Sequence, residues 1–250
     1  MKFDKKLYQE LKKITVGAGI EILKIYKKPF KKCIKADKSP ITEADIVANN
    51  VICAGLERLT PNIPIISEEN DIRPKNLDLF WLVDPLDGTK EFIKKNGEFT
   101  VNIALIKNKK PVYGIIFKPT SKDLYYTEDK KSFYSKLDKN YNETKRTKIN
   151  TKKRKINVLA LSRSHNRNND FILKKFNANK ILQSGSSIKI CYIADGKANI
   201  YPRLGTTMEW DIAAGDAILR KAGGKIKTLD GKILKYGKRN FKNTSFVARS

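Results

Sequence analysis

Cysteine, histidine and acidic residues are scarce in this 250-residue chain: three Cys, one His, and 26 Asp plus Glu against 52 Lys plus Arg. Cys33, Cys53 and Cys191 are odd in number, widely spaced and form no Cys-x-x-Cys pair. Neither a disulfide framework nor a zinc site is supported, and a reducing compartment fits. No apolar run approaches the ~20 residues that span a bilayer, and Met1 to Glu10 lacks the apolar core of a secretory signal. These absences indicate a soluble cytoplasmic protein with no transmembrane segment, and leave open a peripheral attachment at the inner face of the plasma membrane.

Hydrophobic residues make up 40% of the chain and aromatics 9%, which excludes full-chain disorder and collagen-like repeats. At ~100 to 200 residues per domain, the length allows one large domain or two lobes sharing a core. The formal charge of +26 implies attraction for polyanions or phosphorylated small molecules. Yet 42 of the 52 basic residues are Lys, spread from end to end, whereas bidentate recognition of phosphates and bases favours the Arg fork. A lysine-biased proteome, as from an AT-rich genome, is the plain explanation.

Apolar residues at Leu7, Leu11, Ile14, Ala18, Ile22 and Ile25 predict an amphipathic helix to about Tyr26, stopped by Pro29. A second helix is predicted after Pro40, with Thr42 and Asp45 in capping-box spacing, running to about Leu59. Short apolar runs at 63–67, 79–83, 99–106 and 112–117 predict strands. Residues 138–155 hold eight basic and two acidic residues and hardly any apolar ones, so a solvated loop or lobe junction is expected there. Beyond it come a strand at 156–161, helices at 171–176 and 188–194, a strand at 198–201, and a helix at 212–222 stopped by Gly223 and Gly224. Helices alternating with hairpin-like strands indicate a layered α/β (α+β) protein with mixed or antiparallel sheets.

In so basic a chain, clustered carboxylates stand out, because fixed negative charge beside apolar strands is costly unless a cation neutralises it. Three clusters qualify: Ser67-Glu68-Glu69, the run Asp84-Pro85-Leu86-Asp87-Gly88-Thr89-Lys90-Glu91-Phe92, and Glu209-Trp210-Asp211. Magnesium prefers oxygen ligands, so carboxylates on separate element ends can hold on the order of two or three ions around a substrate phosphate. Pro85 fixes a turn, Asp84 and Asp87 project toward one point, and Gly88 lets the backbone approach a phosphate. Taken singly, each piece has an ordinary explanation: a surface turn for Glu68 and Glu69, a helix N-cap for Asp211, a capping box for Thr42 and Asp45. Two Asp around Pro, followed by Gly-Thr after an apolar strand, is harder to dismiss.

Asp84-Pro85-Leu86-Asp87-Gly88-Thr89 resembles the signature of the lithium-sensitive, magnesium-dependent phosphatase superfamily of inositol monophosphatases and fructose 1,6-bisphosphatases. Trp210-Asp211-Ile212-Ala213-Ala214-Gly215 is similar to its second motif. Lys90-Glu91-Phe92, Asp37 to Thr42, Ser162-Arg163-Ser164-His165, Gly185-Ser186-Ser187-Ile188-Lys189 and Tyr201-Pro202-Arg203 resemble the 3′(2′),5′-bisphosphate nucleotidase branch. The matches run in family order over about residues 35 to 220.

The resemblance implies a layered αβαβα sandwich, with residues 1–150 as an N-terminal lobe carrying the metal site. Residues 151–250 would supply the nucleotide contacts and Asp211 within one continuous catalytic unit. It implies that Glu68, Asp84, Asp87, Asp211 and the Leu86 carbonyl bind Mg2+, with Mn2+ a substitute, and that Glu69 supports them. Asp45 and Thr89 resemble the pair that polarises the nucleophilic water. Gly88, Thr89, His165, Ser186, Lys189 and Arg203 would contact substrate, a small nucleotide bisphosphate.

The implied reaction is hydrolysis of 3′-phosphoadenosine 5′-phosphate to AMP and phosphate, clearing a by-product of sulfate assimilation. The same metal chemistry on inositol monophosphate or a sugar bisphosphate is the first alternative. A non-catalytic nucleic-acid binding protein is the second. Against the latter stand the retained carboxylates and the absence of any RNA-binding or helix-turn-helix signature, so no obligatory nucleic-acid partner is expected. The motifs do not bear on oligomeric state.

Overall fold

The computed structural model describes residues 3–35, 39–70, 77–152, 155–163 and 169–250. The chain begins with α1 (Lys5–Tyr26), a short hairpin of β1 (Lys32–Ile34) and β2 (Pro40–Thr42), and α2 (Glu43–Leu59). Then follow β3 (Ile65–Ser67), β4 (Leu79–Asp87), α3 (Thr89–Ile93), β5 (Thr100–Lys107), β6 (Lys110–Lys118), β7 (Asp123–Glu128), β8 (Lys131–Leu137) and β9 (Glu143–Ile149). The remainder is β10 (Asn157–Ser162), α4 (Asn169–Lys175), β11 (Ala178–Ser184), α5 (Ile188–Ala194), β12 (Ile200–Arg203), β13 (Thr207–Met208), α6 (Trp210–Lys221), β14 (Lys225–Thr228), β15 (Lys242–Asn243) and β16 (Phe246–Arg249).

Strands β3 to β9 form a seven-stranded sheet in sequence order, antiparallel except for the parallel β3–β4 pair. A second sheet of five strands runs β11-β10-β12-β16-β14. Both faces of the large sheet are covered, which is why its central strands read as unbroken apolar runs instead of alternating ones. Trp81 and Val83 of β4 pack with Leu11, Ile14, Ala18, Ala48 and Ile52 of α1 and α2. Phe80 and Leu82, on the opposite face, pack with Ile190 and Ile193 of α5 and Ile212 and Ile218 of α6. The same cluster takes in Ile226, Phe246 and Ala248 of the five-stranded sheet, so α5 and α6 lie between the sheets. Ile172 and Phe176, in and just after α4, cover the outer face through Leu159, Leu161 and Ile200. The result is the five-layered αβαβα sandwich.

The cap expected at Thr42 and Asp45 forms at the start of α2. At its other end, Trp81 Nε1 donates to Thr60 Oγ1 at 2.8 Å, tying the helix to β4. The expected loop at 138–155 is corrected: residues 143–149 form β9, paired antiparallel with β8. Six of its seven residues are exposed, so no apolar alternation marks it, and its lysines shield a sheet edge that would otherwise invite another strand. Strands β7 and β8, packed on the N-terminal helices through Leu124, Tyr126 and Leu137, were also outside the sequence reading. Among the described residues no helix is long and apolar enough to cross a membrane.

Candidate active site

The site is built at the ends of β3, β4 and α6. Glu68 leaves β3 with its N–H donated to the Val83 carbonyl at 3.1 Å, which sets it beside β4. In β4 the register against β5 slips between Asp84 and Asp87. Such a bulge re-aims side chains. Leu86 N–H donates to Asp84 Oδ1 at 3.1 Å and closes the Asp-Pro-Leu-Asp turn. Gly88 follows at φ +96°, where a Cβ would lie 2.9 Å from the Glu98 carbonyl oxygen, so both conformation and space require glycine. Asp211 sits in the first turn of α6 and accepts the Met208 N–H at 2.9 Å. The N-cap position itself belongs to Glu209.

Glu68, Asp84 and Asp211 each offer a carboxylate oxygen, and the three lie within 4.8 Å of one another. Asp87 lines the same cleft, of about 320 Å³. Burial, followed by the charges of Glu68, Asp87 and Asp211, pushes the Asp84 carboxyl well above its ordinary range. Asp211 is pushed up by burial and then by Asp87 and Glu68. Burial raises Asp87 to about 6, although the Lys189 ammonium and the Ser187 N–H pull the other way. Converging carboxylates that resist ionising together are what a divalent cation neutralises, and a set of oxygens without imidazole or thiolate fits a hard ion.

Asp45 is 2% exposed and uses its two oxygens separately. Oδ2 accepts Thr42 N–H at 2.7 Å and Thr42 Oγ1 at 2.6 Å, while Oδ1 faces Thr89 Oγ1 at 3.1 Å. The capping box and the pairing with Thr89 therefore coexist. The Thr89 hydroxyl also lies 3.3 Å from the Leu86 carbonyl. Glu69 is raised to about 6 by burial and accepts from Lys35 Nζ at 2.7 Å, and the same ammonium is 3.3 Å from Glu68.

The other wall of the cleft comes from the second half of the chain. Ser186, at φ +48°, precedes α5, and Lys189 on its first turn is 3% exposed. Burial lowers the Lys189 ammonium to about 8, with Asp87 opposing. Its Nζ donates to the Ser184 carbonyl at 3.2 Å and to that of Ser186. Arg203 ends β12 and lines the cleft. Ser186 Oγ and Arg203 Nε are buried and make no hydrogen bond. His165 lies outside the described residues, as do Asp37, Lys38 and Ser164.

Glu91, part of the acidic run from Asp84 to Phe92, is 7% exposed and lines the cleft beside Lys90. One acidic residue of this neighbourhood has no sequence expectation: Glu98, which receives Gly185 N–H at 2.8 Å. Nothing local marked it, nor Lys35, one lysine among many.

A sandwich of this topology with an acid cluster at the ends of β3, β4 and α6 defines a class: residues 5–250 match the inositol monophosphatase family, and the chain belongs to it. Members of that family are metal-dependent phosphatases. Within it, the 3′(2′),5′-bisphosphate nucleotidase CysQ of Buchnera aphidicola is 43% identical over 253 residues, covering 98% of this chain and 94% of that protein. The nucleotidase CysQ of Salmonella typhimurium is 40% identical over 248 residues, 96% of this chain and 98% of that one. The crystal structure of CysQ from Bacteroides thetaiotaomicron superposes with a TM-score of 0.81 at 37% identity, over 97% of this chain and 96% of that chain.

Proposed function

We propose that the chain hydrolyses the 3′-phosphate of 3′-phosphoadenosine 5′-phosphate, giving AMP and phosphate. The observation that carries the reading is the pair of buried, unpartnered groups Ser186 Oγ and Arg203 Nε, which line one cleft with Lys189 and the carboxylates. Unsatisfied buried polar groups are costly, and a second phosphate satisfies them where a small monophosphate held at the acids does not. The high identity to nucleotidases named CysQ supports the same substrate class.

Glu68, Asp84, Asp87, Asp211 and the Leu86 carbonyl would hold Mg2+, on the order of two or three ions with Mn2+ a substitute, and Glu69 would support them through Lys35. Bound magnesium supplies a water of lowered pKa and neutralises phosphate charge. The Thr89 hydroxyl donates its hydrogen bond to Asp45 Oδ1, so its oxygen is left to accept from the attacking water and to aim that water's lone pair at phosphorus. Asp45 can serve because its other oxygen is locked in the cap. As the new P–O bond forms, the bond to the 3′ oxygen breaks; the attacking water leaves one hydrogen on the released phosphate and yields its other proton to solvent, and the 3′ oxygen takes a proton from water in the cleft. Gly88 leaves room for the phosphate, and Ser186, Lys189, Arg203 and His165 bind the rest of the nucleotide. Residues 1–150 and 151–250 act as one catalytic unit, since the carboxylates and the cations come from both. Three free thiols support a cytoplasmic setting.

Phosphate release is measured on the adenosine bisphosphate, inositol 1-phosphate and fructose 1,6-bisphosphate, with magnesium and with excess chelator. The bisphosphate nucleotide is the preferred substrate, and Lys189→Ala or Arg203→Ala raises its KM by about tenfold to hundredfold. Preference for inositol 1-phosphate, or full activity in chelator, sinks the reading.

A further inference from the structure

Residues 184–187 form the turn that presents Ser186 and leads into Lys189, and three ties hold it to the first half of the chain. Ser187 Oγ lies 2.9 Å from Thr100 Oγ1 and 2.8 Å from Asn102 Oδ1, a neutral and buried pair of contacts. Asp87 accepts the Ser187 N–H. The third tie is ionic and lies closest to Ser186: Glu98 Oε2 accepts Gly185 N–H at 2.8 Å. The same carboxylate takes a bidentate grip from Arg163, with Nε at 2.9 Å and the second nitrogen at 2.7 Å. Arg163 directly follows β10, so Glu98 joins the turn to the end of an inner strand of the five-stranded sheet.

The backbone of Glu98 is equally placed. A Cβ at Gly88 or at Gly185 would each lie 2.9 Å from its carbonyl oxygen. At Gly185 a Cβ would also come within 2.8 Å of Glu91 Cγ. The turn of the carboxylate site and the turn of the cationic wall therefore both pack against this one residue. A carboxylate near a polyanionic substrate is repulsive unless it is neutralised, and Arg163 neutralises it.

We propose that Glu98 is a positioning residue for the second, non-scissile phosphate: by clamping Gly185 N–H to Arg163 it sets where the Ser186 hydroxyl and the Lys189 ammonium face the cleft. The inference rests on the bisphosphate reading above. It places Glu98 in the specificity of the enzyme and leaves the bond-breaking step to the residues around Asp84.

The test compares adenosine 3′,5′-bisphosphate with adenosine 3′-monophosphate, which keeps the base and the scissile phosphate and lacks the second. Glu98→Ala raises KM for the bisphosphate about tenfold and for the monophosphate less than about twofold, and lowers kcat on either by less than about threefold. Glu98→Gln retains an acceptor for Gly185 N–H and falls between parent and Glu98→Ala, and Arg163→Ala matches it. Hydrogen exchange read at the Gly185 amide, independent of activity, is faster in Glu98→Ala and close to the parent in Glu98→Gln. Equal KM shifts on the two substrates overturn the proposal, as does an unshifted KM with accelerated Gly185 exchange. If Glu98→Ala does not fold, Glu98→Gln and Arg163→Ala decide by the same criteria. A parent enzyme with no preference for the bisphosphate overturns the functional reading itself, and that result is seen before any variant is made.

Discussion

At the scale of single residues, Asp45 and Thr89 separate stability from chemistry. Thr42 and Thr89 address different oxygens of one carboxylate. Thr89→Val keeps the shape and leaves the cap intact, so turnover falls by about 10² to 10⁴ while Tm stays within about 2 °C. Thr42→Ala removes the cap hydroxyl and costs ~1 kcal/mol, or about 2 to 4 °C, with a smaller loss of turnover. Steady-state rates and thermal melts on both variants check the crossed pattern. Asp87 gives a second separation. Its folded-state carboxyl sits at about 6 against an ordinary 3.8 because of burial. A raised value favours the fold below the ordinary value and loses that contribution as pH rises through about 6. In chelator, Asp87→Asn therefore stabilises the protein by on the order of 2 to 3 kcal/mol at pH 7.5 and hardly at all near pH 4. With magnesium the same variant loses at least about a hundredfold in turnover. Calorimetry at the two pH values checks the sign; destabilisation at pH 7.5 in chelator would show that Asp87 is only part of a turn.

At the scale of elements, strand ends and helix starts meet at one cleft, and each element's rigidity comes from what it packs on. Strand β4 delivers Asp84 and Asp87 from between two helical layers, and α6 delivers Asp211 while filling the space between the sheets. Strand β9 has the opposite task, since it is the outer edge of the large sheet. Lys145 and Lys148 are exposed on it, and Lys145 stands opposite Lys136 of β8. Replacing Lys145 and Lys148 together by valine gives a flat, uncharged edge and concentration-dependent self-association, read by sedimentation velocity, with kcat retained. A monodisperse double variant would show that these lysines do not guard the edge.

At the scale of the whole molecule, the charge of +26 surrounds a cleft whose own centre is acidic. Long-range attraction then speeds arrival of an anionic substrate without supplying its specific contacts. kcat/KM for the bisphosphate falls by about tenfold as salt shortens the screening length from ~30 Å at 0.01 M to ~3 Å at 1 M, and falls less for the monophosphate. Stopped-flow or low-substrate rates across a salt series check this. A flat series assigns the surplus lysine to composition alone. The +26 charge pointed equally to nucleic acid or to a phosphorylated metabolite; it is the placement of Lys189 and Arg203 in one cleft with the carboxylates that favours the small substrate.

The elements legible in the sequence were those whose signals are local. The cap at Thr42 and Asp45, the helix from Leu7 to Ile25, the apolar run of β4 and the Asp-Pro-Leu-Asp-Gly-Thr turn each depend on residues within a few positions, through periodicity and backbone preference. Strand β9 was not legible because an exposed edge strand has no buried face to impose alternation. The site itself was only half legible: sequence named the carboxylates, but the pairing of Asp45 with Thr89 spans 44 positions and that of Glu98 with Gly185 spans 87. The raised carboxyls, the lowered Lys189 and the unpartnered Ser186 Oγ and Arg203 Nε arise from burial among elements distant in the chain. Local composition sets which groups are available; only the packing of two sheets around α5 and α6 removes water from them, and desolvation decides their charge and their need for a ligand.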